Sequence, residues 1–88
     1  MGDEFKEKVA VYMRKAKPLF EDLKVMKKAG IDAQIISRFH TMTLAYYADA
    51  MHFYEEGEYF NALAALEYAE GWLDAGKTLG IFETTKKE

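Results

Sequence analysis

Apolar residues recur with helical rhythm along three stretches of this 88-residue chain, and no segment alternates with the period of two expected of a half-buried strand. In the first stretch, roughly Asp3 to Ala29, Phe5, Val9, Tyr12, Ala16, Leu19, Leu23 and Met26 are separated by steps of 4, 3, 4, 3, 4 and 3. That spacing draws one continuous stripe down one side of a helix. Pro18 interrupts it and removes a backbone hydrogen bond. Because the stripe keeps its phase across Pro18, the pattern predicts a kinked helix; the alternative is a helix that restarts with Pro18 in its first turn.

The punctuation between stretches is just as informative. Gly30 can take the left-handed conformation that ends a helix, Ile31 can pack back on Met26, and Asp32 is a natural N-cap. A connection of two or three residues would then make the first two helices antiparallel neighbours. The second helix, about Ala33 to Glu56, has an apolar arc of Ile35, Ile36, Phe39, Met42, Thr43, Tyr46, Tyr47, Ala50, Phe53 and Tyr54. Its width predicts a central helix touching two companions. Gly57 ends it, and a third helix starts near Tyr59 with Ala62, Ala65, Leu66, Ala69, Trp72, Leu73, Gly76 and Leu79 inward. Gly80 is the expected terminator, with Ile81 and Phe82 folding back over the end. These readings predict an all-α fold: a three-helix, up-down-up antiparallel bundle over residues 1–82 and a frayed tail over 83–88.

The chain is too short to divide into two cores. Half its residues are hydrophobic and 15% are aromatic, enough to drive collapse. There is no cysteine, which removes disulfides, thiol catalysis and thiolate metal sites together. No apolar run approaches the roughly 18 residues of a membrane span, and Met1-Gly2-Asp3-Glu4-Phe5-Lys6 has neither a signal-peptide core nor a myristoylation pattern. A cytoplasmic location is the resulting expectation. The net charge of −3 is uneven, +3 over residues 1–31 and −3 over each of 32–57 and 58–79. A basic first helix beside two acidic ones points to complementarity within the fold or with a partner, and an acidic pI near 5.4 argues against nucleic acid as the main ligand.

Two resemblances are carried by particular residues. Gly57, Tyr59, Ala62 and Ala69 are spaced as in the inter-helix turn of a tetratricopeptide repeat, but one hairpin is not a solenoid. Tyr46 to Asp49, the Gly57-Glu58-Tyr59 turn, and above all Tyr68-Ala-Glu-Gly-Trp-Leu-Asp-Ala-Gly76 followed by Gly80-Ile-Phe82 resemble the DUF357 family, short and mainly archaeal proteins of unknown function. The resemblance spans roughly residues 10–82. It implies a three-helix bundle and carries over no activity, cofactor or catalytic residue.

Candidate chemistry is sparse. Asp49, His52 and Glu56 occupy successive turns of the second helix, but ligands from one helix alone make a poor metal site. Asp49 borders the apolar arc and is expected to find a hydrogen-bond partner, a tyrosine hydroxyl, the Trp72 indole or a lysine. Lys6, Lys17, Lys24 and Lys28 would share the outer side of the first helix, the ordinary appearance of a solvated face. His40 follows Arg38 too closely for the Arg and His spacing of small helical nucleases. No catalytic triad, phosphate-cradling loop or nucleotide fingerprint is present, so no enzyme, no cofactor and no resident metal are expected. Apolar residues left outside the bundle say more. Val11, Pro18 and Val25 recur every seven positions on the outward side of the first helix, Phe60 and Leu63 open the third, and Leu44 and Met51 flank the second. Outward apolar residues in groups mark contacts. The expected function is a protein-interaction or self-associating module, with a protein partner or a second copy bound through Val11, Pro18, Val25, Phe60 and Leu63. The alternative is a bundle that binds a small molecule or metal through Asp49, His52 and nearby tyrosines.

Overall fold

The computed structural model describes residues 2–84, in the order α1 (Gly2–Glu21), β1 (Lys24–Val25), α2 (Ala33–Glu55), α3 (Tyr59–Leu79) and β2 (Phe82–Glu83). Three helices dominate, as the periodicity predicts. The middle and last boundaries follow the sequence signals closely. The Asp32 carboxylate accepts a hydrogen bond from the Gln34 amide at 2.7 Å, capping α2. α2 and α3 end in the same way, on a glycine with a φ of +82°. Beyond α2, the Gly57 amide donates to Tyr54 O and the Glu58 amide to Phe53 O; beyond α3, Gly80 donates to Lys77 O and Ile81 to Gly76 O. This pair of bonds satisfies carbonyls that a helix end leaves open.

The first helix differs from expectation. α1 stops at Glu21, one turn after Pro18, with the Asp22 amide reaching back to Pro18 O at 3.1 Å. It neither kinks and continues to Ala29 nor restarts at Pro18. Proline weakens the last turn by removing one N–H, and the residues beyond find other partners. Lys24 pairs with Glu83 and Val25 with Phe82 in a short antiparallel ladder, extended by the Met26 amide donating to Ile81 O at 2.8 Å. The connection to α2 therefore covers residues 22–32 rather than two or three. Gly30 serves within it, in a turn closed by Ile31 N–H and Lys28 O, not as a helix terminator. Of the expected tail, Glu83 is paired with Lys24 and Thr84 is half-buried; residues 85–88 lie outside the described residues.

α2 and α3 form an antiparallel hairpin, since ring contacts run in opposite chain order: Phe39 with Trp72, Tyr46 with Tyr68, Tyr54 with Tyr59. They pack closely because the inner ridge of α3 is built from small residues, with Ala62, Ala65, Ala69 and Gly76 all buried. Contacts with α1 fall in chain order along α3: Phe5 stacks on Phe60, and Tyr12 bonds to Glu70. Six residues of α3 are buried against four of α2, so the most enclosed helix is α3, not α2. Ile35, at the edge of the wide α2 arc, is 48% exposed. In α1 the buried line runs through Val9, Ala16 and Phe20, a few tens of degrees from the predicted stripe, which omitted Phe20. The Thr43 hydroxyl, buried in α2, donates to Phe39 O at 2.6 Å. Ile81 and Phe82 are buried at the end of the hairpin, as expected.

Candidate functional site

α1 covers one side of the α2–α3 hairpin. On the other side, aromatic side chains lie half in solvent. Trp72 meets Phe39 edge to face with ring centroids 5.0 Å apart, and Tyr68, 63% exposed, stacks on Tyr46 at 5.2 Å. Beside them Gly71 leaves a gap: a Cβ built there would have no neighbour within 4 Å. Phe39, Glu67, Tyr68, Gly71, Trp72 and Ala75 together line an open groove of about 360 Å³. Leu79, read from sequence as inward, is 40% exposed further along the same helix. This side is apolar, structured by ring contacts, and short of polar groups that could do chemistry.

The outward apolar residues singled out from sequence lie on three elements, Val11 and Pro18 on α1, Val25 on β1, Phe60 and Leu63 on α3. Val11 is 41% exposed on α1 and Pro18 is half-buried in its last turn. Val25 lies on β1, so the seven-residue stripe on a continuous first helix does not exist. Leu63 is half-buried, while Phe60 is the most exposed large apolar side chain among the described residues, at 77%, one side of its ring stacked on Phe5 at 4.5 Å. Sequence reasoning missed Ile35, Tyr68 and Leu79. Ile35 and Leu79 belong to helical stripes read as core, and a stripe wider than its covering neighbour leaves an exposed edge; Tyr68 lies outside the inward set and enters the sequence reading only through the family motif.

The polar candidates are scattered. Asp49 and His52 are exposed on α2, and Glu56 is exposed in the turn that follows it. The hydrogen bond expected for Asp49 is not formed, because a carboxylate in water needs no protein partner. Among the described residues, no three His, Cys, Asp or Glu side chains come together as a metal site would require. His40 is half-buried, 6.5 Å from the Phe82 ring. Lys24 and Lys28 lie off α1, so the four lysines do not share a helix face.

Two tyrosines tie α1 to the hairpin. Tyr12 donates to Glu70 Oε1 at 2.5 Å, and Tyr47 to Glu21 Oε2 at 3.3 Å, with the Phe20 ring stacked on Tyr47 at 4.7 Å. Burial, reinforced by Glu70, Glu67 and Asp74, holds the Tyr12 hydroxyl far above its ordinary range near 10. Burial and then Glu21 push Tyr47 up to about 12. Both hydroxyls stay protonated at neutral pH and act as donors, not as bases or nucleophiles.

The chain belongs to the DUF357 family, described as proteins of unknown function, whose family profile matches residues 11–82. No curated protein and no solved structure matches it.

Proposed function

We propose that this DUF357 chain is a non-enzymatic helical interaction module of the cytoplasm whose working surface is the side of the α2–α3 hairpin away from α1. One observation carries the reading: Tyr68, Gly71, Trp72, Ala75 and Leu79 leave an apolar strip of α3 open to solvent beside Phe39 and Ile35 of α2. Single exposed apolar residues are common, whereas contiguous aromatic patches are where binding energy concentrates. The cysteine-free composition suits a reducing compartment. Among the described residues, no helix is long and apolar enough to cross a membrane.

The groove also supports a second reading, a small aromatic or apolar ligand, since about 360 Å³ falls at the small end of ligand sites. The experiment for the main reading is site-specific photo-crosslinking in cells that make the protein, with a photoreactive residue replacing Tyr68 and, as a control, Ser37 on the outer side of α2. Protein adducts at position 68 and not at 37 are expected. No adducts at 68, or equal labelling at both, would remove the surface from consideration. Thermal shifts with aromatic ligands that survive substitution of Tyr68 would place a small-molecule site elsewhere.

A further inference from the structure

We infer that the occupant is a second copy of the same chain, docked in antiparallel register along the outer side of α3, from Phe60 beside α1 to Leu79 on the face away from it. The inference rests on the interaction reading above and goes further in naming the partner. The outermost strip of α3 is Phe60, Ala64, Tyr68, Gly71, Ala75 and Leu79, all six exposed. Their spacing, 4, 4, 3, 4 and 4, reads the same in both directions. Turning one copy by a two-fold axis perpendicular to α3, midway between Tyr68 and Gly71, therefore superposes the strip on itself. Phe60 then faces the partner's Leu79, Ala64 faces the partner's Ala75, and Tyr68 faces the partner's Gly71.

Size complements size at each step. The Tyr68 ring, 63% exposed, meets the one position with no side chain, where a Cβ would have nothing within 4 Å. Two alanines meet where the helices must approach closely, and two large apolar residues close each end. Every contact is made twice, as an isologous interface demands. A two-fold of this kind keeps each flank of α3 on the same side of the pair, so Glu67, Glu70 and Asp74 of both copies share one edge, and the apolar strip must outweigh their repulsion.

The test is light scattering and sedimentation of the full chain over a concentration series, with three variants. Gly71→Tyr adds a ring where the isolated fold has room, so the helices persist, but two rings then collide across the seam. Tyr68→Gly leaves a void there. Each should weaken dimerisation by about tenfold or more, and the double variant Tyr68→Gly with Gly71→Tyr should recover it, because the swap exchanges knob and hole on both copies. A wild-type chain still monomeric at about 1 mM, or a Gly71→Tyr variant that dimerises as well as wild type with circular dichroism unchanged, overturns the inference. If the chain is monomeric yet position 68 crosslinks to another protein, self-docking falls and the interaction reading stands. If it is monomeric and uncrosslinked, both fall.

Discussion

Adding one methyl group to α3 should have opposite effects at two glycines five residues apart. At Gly76 the Phe82 ring lies flat against the helix: a Cβ there would be 2.7 Å from Phe82 Cγ and closer still to Cδ2 and Cε2. Carbon atoms settle at about 3.5–4.0 Å, so the ring must move. It has little freedom to do so, being 3% exposed, with its residue paired to Val25 and the preceding Ile81 carbonyl holding the Met26 amide. Overpacking of this kind destabilises by about 1–3 kcal/mol. Expelling the ring instead forfeits up to about 3 kcal/mol of burial, while alanine's better helix propensity returns about 1 kcal/mol. The net expectation for Gly76→Ala is a loss of up to about 2 kcal/mol, which lowers the melting midpoint of a domain this size by up to about 8–16 °C. Gly71→Ala is the control, since nothing lies within 4 Å of its Cβ. It should stabilise by about 0.5–1 kcal/mol and raise the midpoint by about 2–8 °C. Thermal and urea unfolding followed by circular dichroism, at concentrations too low for association to contribute, measures both. In a Phe82→Ala background the obstruction is gone, and Gly76→Ala should become mildly stabilising. If Gly76→Ala melts at or above wild type while Phe82 is intact, Phe82 does not lie on Gly76 and the placement of β2 is wrong.

The two interhelical tyrosines give a pH signature. Folding raises both hydroxyl pKa values above the ordinary 10, Tyr47 to about 12 and Tyr12 further, so their contribution is complete below pH 10 and is lost as pH rises through the folded values. The melting midpoint should be insensitive to their titration up to about pH 10 and fall above it; a Tyr12→Phe, Tyr47→Phe double variant that falls just as steeply would dissociate the effect from these groups. Asp32→Ala removes the α2 N-cap and should reduce stability by about 1 kcal/mol, read as a shift in urea midpoint, whereas Asp32→Asn should retain most of it. Gly57→Ala meets no neighbour within 4 Å, so any loss is that of forcing a φ of +82° on alanine, about 1 kcal/mol; a neutral result would mean the α2–α3 turn has another conformation.

Why the later helices were legible and the first was not comes down to the range of the interactions that end them. Asp32, Gly57 and Gly80 act within a few residues of themselves, through an amide two positions on or carbonyls three to five back, so sequence alone places them. The end of α1 is decided by Phe82 and Glu83, far along the chain, which draw Lys24 and Val25 into a ladder that no local pattern encodes. The apolar stripe kept helical phase through Leu23 and Met26 although the chain there is no longer helical, because a half-buried side chain can be supplied by either conformation. Periodicity likewise gives directions around a helix without saying how many are covered. Phe60 was recognisable as outward because it precedes the inner ridge, but Ile35 and Leu79 sit on arcs continuous with the core and look buried until the reach of the neighbouring helices is known.

Gly71 is the residue for which that reach matters most. Glycine inside a helix costs about 1 kcal/mol relative to alanine, and the other helix-associated glycines have visible reasons to be glycine. Gly57 and Gly80 take positive φ, and Gly76 makes room for Phe82. Gly71 does neither: it lies mid-helix, it is exposed, and no atom of its own chain stands where a side chain would go. Within an isolated monomer the position is a loss with no compensation. On the self-docking proposal the compensation comes from outside, from the Tyr68 ring of a second copy entering the space beside Trp72 and Tyr68. A Gly71→Ala chain that is more stable yet associates as strongly as wild type would leave this glycine, and the argument built on it, without a physical reason.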